Sequence, residues 1–280
     1  MRVLITGANG MVAKAMADHC FRAGDEVVAL PRAELDITDS KQARGTIADV
    51  RPDVVVNCAA YTDVDGAENE QEKCFAVNAF GPENLAAACR DIDALLITIS
   101  TDFVFDGSFD GFYTQRHTPA PASVYARSKL EGELRVRAAN ARAIIVRSGW
   151  IYGTGGTNFL SVMPELLEAG KTIKAISNAY GTPTYAADLA RRIRELAVLD
   201  LPCIFHVTNA GSGTTYEGFA REVCRIGGFD VSLIESVSKD SLRRPAARPD
   251  SSKMACLFSE RFGLGPMPDW IEALERFIGG

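Results

Sequence analysis

A chain of 280 residues with 47% hydrophobic and 24% charged side chains has the composition of a folded globular protein, long enough for a main domain and a smaller companion. The formal net charge of -6 excludes the basic character of a nucleic-acid binder, so any anionic ligand needs a locally cationic site. The 7 cysteines are scattered and never form a Cys-x-x-Cys pair, and the 3 histidines lie far apart, so reduced thiols and no metal are expected.

The first half alternates short apolar runs with longer amphipathic ones. Strands are expected at 2–6, 26–30, 53–57, 94–100 and 143–148, each β-branched and nearly continuous in apolar character, as strands buried on both faces are. Helices are expected at about 10–22, 39–49, 71–91 and 123–140, long enough to serve as crossovers. Right-handed connections then give an α/β fold with a doubly wound parallel sheet of the Rossmann type. After Trp150 the rhythm changes, because glycines cluster in "YGTGGTNF" and the apolar run at 203–209 stands isolated between long segments. The division is therefore a dinucleotide-binding domain over 1–150 and a smaller, mainly substrate-binding subdomain over 151–280, with an amphipathic helix at 186–199 returning to the first domain. The glycines begin too early for a secretory signal and no run of about 18 apolar residues occurs, so a cytoplasmic location without membrane contact is expected.

Chemistry enters at "VLITGANGMVAKAM". Gly7 allows the tight turn after the first strand, and Gly10 allows the backbone to approach a pyrophosphate held at the helix N-terminus. Ala13 is small enough for the close helix–strand contact, and Asn9, Met11 and Val12 complete this cofactor-binding turn. The second strand runs into Pro31 and Arg32 with no acid before Glu34, so a 2'-phosphate is accommodated and NADPH is favoured, with NADH as the alternative. Thr101 follows the fourth strand, where ligands of open α/β sheets sit. Tyr125 and Lys129, four apart on the next helix, share one face. A phenol beside a ketone can protonate the developing alkoxide, and a neighbouring ammonium is expected to lower the phenol's pKa. Thr101, Tyr125 and Lys129 are thus the catalytic candidates.

The spacing Gly-x-x-Gly-x-x-Ala, followed by "LDITD", "NCAAYTDVDGAE", "VNAFGPENLA" and "STDFVFDG", resembles the extended short-chain dehydrogenase/reductase superfamily. Within it, "VRSGWIYGTGGTNF", "YGTPTYAADLA", "FHVTNAGSGTTYEGFA" and "RRPAARPDSSKM" make the chain similar, over nearly all its length, to the dTDP-4-dehydrorhamnose reductase family. The resemblance implies that Asp36 and Ile37 flank the adenine and that Cys58, Ala59, Ala60, Tyr61 and Asn78 line the cofactor's path. It implies that Lys129 also bonds the nicotinamide ribose, and that Thr62, Val64, Thr101, Phe103, Tyr125 and Trp150 contact the sugar nucleotide. The implied reaction is reduction of the C4 ketone of dTDP-4-dehydro-L-rhamnose to dTDP-L-rhamnose with NADPH. A reductase or epimerase of another nucleotide 4-keto sugar, and a non-catalytic dinucleotide-binding regulatory subunit, are the alternatives.

Three positions depart from the family pattern: Met11 stands where many members have Gln, Ala15 where an acid is common, and Phe103 where a tyrosine is usual. That acid is associated with a magnesium site at a dimer contact, so Ala15 argues against the metal and leaves a homodimer open. Arg243, Arg244 and Arg248 are candidates for neutralising a nucleotide diphosphate.

Overall fold

The computed structural model describes residues 1–280. Strands β1 (Arg2–Thr6), β2 (Glu26–Leu30), β3 (Val54–Asn57), β4 (Leu95–Thr101) and β5 (Ala143–Ser148) all lie parallel in one sheet. A sixth strand, Ile204–His206, pairs with β5, and the spatial order is β2, β1, β3, β4, β5, then Ile204–His206. The direction of winding reverses between β1 and β3, which opens a crevice at their carboxyl ends. This is the doubly wound sheet expected from the alternating pattern.

Two apolar layers sandwich the sheet, because its residues face them alternately. Val3, Ile5, Val54, Val56, Ile97 and Val146 face one way, toward Ala13, Met16 and Cys20 of the Met11–Arg22 helix and Leu189, Ile193 and Leu196 of the Ala186–Leu199 helix. Leu4, Val55 and Leu96 face the other, toward Ile47, Leu85, Cys89 and Val136. Each fully buried aliphatic side chain contributes roughly 1.5–3 kcal/mol. All seven cysteines are free thiols. No helix is long and apolar enough to cross a membrane.

Two expectations need correction. The run at 203–209 is not isolated in a second unit: its Ile204–His206 portion completes the main sheet, and His206 lies beside Arg147 of β5. This pairing joins segments more than fifty residues apart, which local sequence does not encode. The helix expected over 71–91 is interrupted: Gln71–Phe75 and Gly81–Asp91 are α-helical, and Ala76–Phe80 between them is a π-helix. Pro82 has no N–H to return to the carbonyl of Asn78, four residues earlier, so the regular ladder cannot run through. That carbonyl packs on Gly132, where any Cβ would overlap it.

The remaining chain builds a third apolar cluster around Tyr152, Met163, Phe219, Val223, Trp270 and Leu274. Short pairs tie it together: Ile173–Ile176 with Ile234–Val237, Tyr180–Gly181 with Thr214–Thr215, and Ile151–Tyr152 with Thr184–Tyr185. Ile151, Ile176, Tyr180 and Tyr216 from this part of the chain line the crevice.

Candidate active site

The turn after β1 is shaped for an anion. Gly7 has φ +67°, and a Cβ there would sit 2.9 Å from the backbone of Ala59, so glycine is required by both conformation and proximity. Gly10 caps the following helix without any side-chain hydrogen bond, and the first turn carries no acid, so its N–H groups and dipole are left for a ligand. Ala13 is 1% exposed at the helix–sheet contact. This cradle fits the pyrophosphate of a dinucleotide.

From the cradle the cleft runs over β3 to β4. A cavity of about 260 Å³ is walled by Val12, Cys58, Ala59, Ala60, Thr62, Val64, Thr101, Phe103, Tyr125, Lys129 and Trp150, together with residues that the sequence did not single out. Asp36, Ile37, Tyr61 and Asn78 stand off this cavity. Asn78 instead clamps the loop after β3, accepting from the Tyr61 N–H at 2.9 Å and donating to the Tyr61 carbonyl at 3.0 Å and to the Ser128 hydroxyl at 3.0 Å. The Tyr61 hydroxyl turns outward and donates to Glu70 at 2.7 Å. Ile37 is buried and packs over Gly81. Arg32 is exposed, and its Nε and Nη2 both donate to Asp36 Oδ2 at 3.1 Å, which sets a guanidinium at the mouth of the second strand.

The Val124–Ala139 helix carries Tyr125 and Lys129. It starts at Ser123, whose hydroxyl accepts from the Ala126 N–H at 3.2 Å, after a proline-rich loop that cannot continue a helix backward. Its inward face buries Ser128, Lys129 and Glu133, polar groups that a purely structural helix would place in water. Lys129 Nζ donates to the Ile99 carbonyl at 2.6 Å. Burial lowers the Lys129 pKa to about 8, against the raising pull of Glu133.

Tyr125 corrects an expectation. Burial pushes its phenol up to about 12, partly offset by a hydrogen bond with Thr101, and Lys129 is not among the groups acting on it. Desolvation outweighs the tuning cation because the ring lies in an apolar corner, edge-on to Phe103 at 6.2 Å, while the ammonium is turned toward β4. The phenol therefore holds its proton at neutral pH. Thr101 in turn accepts from the Phe103 N–H at 3.2 Å and donates to Asp102 Oδ1 at 3.0 Å.

Asp102 and Tyr216 went unassigned in the sequence. Asp102 is 3% exposed, its Oδ2 has no partner, and burial raises its pKa to about 6, with hydrogen bonds from Ser252 and Thr101 opposing. It fits only because Gly149 lacks a side chain, since a Cβ there would overlap the carboxyl group. Trp150 follows with φ +50°, a left-handed backbone rare for a bulky residue, and its indole lies flat on Gly181. Tyr216 stacks on Trp150 with ring centres 3.9 Å apart. Its position at a helix start, inside a segment resembling the family, was the one available signal.

Phe103, Trp150 and Tyr216 also line a second cavity of about 290 Å³, together with Tyr180, Arg244 and Arg248. Arg248 is committed to Asp65, donating to both carboxylate oxygens at 2.9 and 2.8 Å, whereas Arg244 borders the cavity and Arg243 does not. The two cavities together make an elongated cleft, cationic at its outer end and acid-bearing at its inner end.

The family model described as RmlD substrate binding domain matches residues 1–279. A dTDP-4-dehydrorhamnose reductase from Streptomyces griseus is 40% identical over 279 residues, covering 98% of this chain and 91% of the relative. One from Mycolicibacterium smegmatis is 40% identical over 280 residues, covering 99% of this chain and 85% of the relative. Among solved structures, a dTDP-4-dehydrorhamnose reductase from Bacillus anthracis in complex with NADP superposes with a TM-score of 0.95 at 35% identity, covering 99% of this chain and 98% of that one. Matched from end to end in sequence and in fold, the chain belongs to the dTDP-4-dehydrorhamnose reductase family.

Proposed function

We propose that this chain reduces the C4 ketone of dTDP-4-dehydro-L-rhamnose to dTDP-L-rhamnose at the expense of NADPH. The observation that carries the reading is the single cavity in which Thr101, Tyr125 and Lys129 meet beside the uncapped glycine turn. The names of the relatives and the NADP in the similar Bacillus anthracis structure support it.

When bound, NADPH supplies the hydride. Gly7, Gly10 and the first-turn N–H groups hold its pyrophosphate, and Arg32 faces its 2'-phosphate. Tyr125, whose phenol is protonated at neutral pH, gives its phenolic proton to the ketone oxygen as negative charge develops there. Thr101 shares that oxygen and orients it. Lys129 holds the ribose. Trp150, Tyr216 and Phe103 grip the sugar, and Arg244 lies where the diphosphate emerges into the outer cavity. Residues 1–150 thus mainly serve the cofactor and 151–280 mainly the substrate. Seven free thiols fit a reducing compartment, so we place the reaction in the cytoplasm.

The test is NADPH consumption with dTDP-4-dehydro-L-rhamnose and identification of the product. Stoichiometric oxidation with formation of dTDP-L-rhamnose is expected. No consumption with intact binding of NADPH would replace this reading with a regulatory role, and isomerised sugar without net consumption would replace it with an epimerase.

A further inference from the structure

Behind the cavity lies a buried charge cluster that the reaction does not touch. Glu133 sits one turn beyond Lys129 on the Val124–Ala139 helix and is 3% exposed. The Ser100 hydroxyl donates to its Oε1 at 2.5 Å, and Arg147 donates from Nε to Oε1 at 2.9 Å and from Nη2 to Oε2 at 2.6 Å. Ser100 and Arg147 are register partners on β4 and β5, so the carboxylate is fastened to two neighbouring strands at once. One residue away, the Ile99 carbonyl receives the Lys129 ammonium. Three consecutive residues of β4 are therefore used in turn: Ile99 holds Lys129, Ser100 holds Glu133, and Thr101 enters the cavity.

A buried ion pair is weak evidence for stability, since well-packed apolar residues serve as well. Its placement points elsewhere. We propose that Glu133, fastened by Ser100 and Arg147, is a positioning residue that locks the Tyr125–Lys129 helix in register with β4 and keeps Lys129 a charged ammonium. The inference rests on the proposed reductase reading, in which Lys129 acts as a cation. The other groups facing Lys129 are the thiols of Cys74, from the Gln71–Phe75 helix, and Cys58, after β3. Burial raises both thiols, Cys58 to about 12, so they are neutral, and Tyr125 keeps its proton. Glu133 is the one anion left to oppose desolvation of the ammonium, and it is itself paired with Arg147 at 2.6 Å.

The double variant Glu133→Gln/Arg147→Met removes both charges and strands neither. The midpoint for Lys129 titration, read from its side-chain NMR signal and assigned with Lys129→Arg, is expected to fall by about one pH unit, a tenfold loss of proton affinity. Turnover should then drop about fourfold more at pH 8 than at pH 6.5, whereas Tyr125→Phe depresses both alike. A midpoint within a few tenths of wild type, or a rate loss independent of pH, overturns the charge role. Absence of turnover in wild type would sink the reductase reading alone, because the NMR midpoint still decides. Where the double variant does not fold, Ser100→Ala tests the register: kcat falling several-fold at unchanged KM for NADPH supports it, and unchanged kcat overturns it.

Discussion

The two halves of the molecule are built on different principles. Up to β5 the chain is a regular parallel sheet whose strand ends fix Gly7, Cys58, Thr101 and, through one capped helix, Tyr125 and Lys129. Beyond it, short strand pairs and aromatic stacking hold Trp150 and Arg244 on loops and Tyr216 at the start of a helix. A sheet holds reacting groups to tenths of an ångström, while loops let a specificity wall vary without disturbing them. Substitutions at the reacting groups held by the sheet should therefore act on turnover, and those in the loop-built wall on substrate affinity.

The sharpest contrast comes from Tyr125→Phe. It removes only the phenolic proton and should lower kcat roughly 10²–10⁴-fold with the NADPH dissociation constant unchanged. Loss of NADPH binding in parallel would assign the ring to cofactor binding instead.

Asp102 lies where the halves meet, its Oδ1 accepting from the Thr101 hydroxyl at 3.0 Å while its Oδ2 has no partner. Its folded-state pKa, raised to about 6, exceeds the ordinary unfolded value near 3.9. The folded state binds this proton more tightly, so the stabilisation is complete below about pH 4 and is lost as pH rises through about 6. Asp102→Asn should escape that loss. Urea titrations at pH 4 and 7 should show wild type falling relative to the variant by on the order of 3 kcal/mol at most. Parallel curves would mean that the carboxyl group is solvated.

On the substrate side, Trp150→Ala removes the indole between Tyr216 and Gly181 and should raise the KM for the sugar nucleotide about tenfold or more, with kcat less affected. A pure kcat effect would place Trp150 with the reacting groups and blur the division. The smallest change is expected from Arg32→Ala, since the side chain is exposed: a KM for NADPH raised several-fold, with that for NADH unmoved. Equal effects would remove the 2'-phosphate assignment.

How far the sequence spoke follows the same divide. The five parallel strands announce themselves because doubly buried strands are β-branched throughout, and the Tyr125–Lys129 pair stands out through helical spacing behind a proline loop. The sixth strand was misplaced because its partner, β5, is known only once the sheet is assembled. The π-helical segment depends on Pro82 and on Gly132 from another helix acting together. The direction of the Tyr125 shift was missed because charge can be read from sequence and desolvation cannot. Arg248 could not be separated from Arg244 without its ion pair to Asp65, 183 positions away.

Phe103, Trp150 and Tyr216 wall both cavities, so the inner and outer chambers are one cleft divided by three rings. A compound that fills only the outer chamber has to press on those rings from behind. It should compete with the sugar nucleotide and leave the dinucleotide free to bind, so inhibitors of this enzyme need no resemblance to a nicotinamide cofactor.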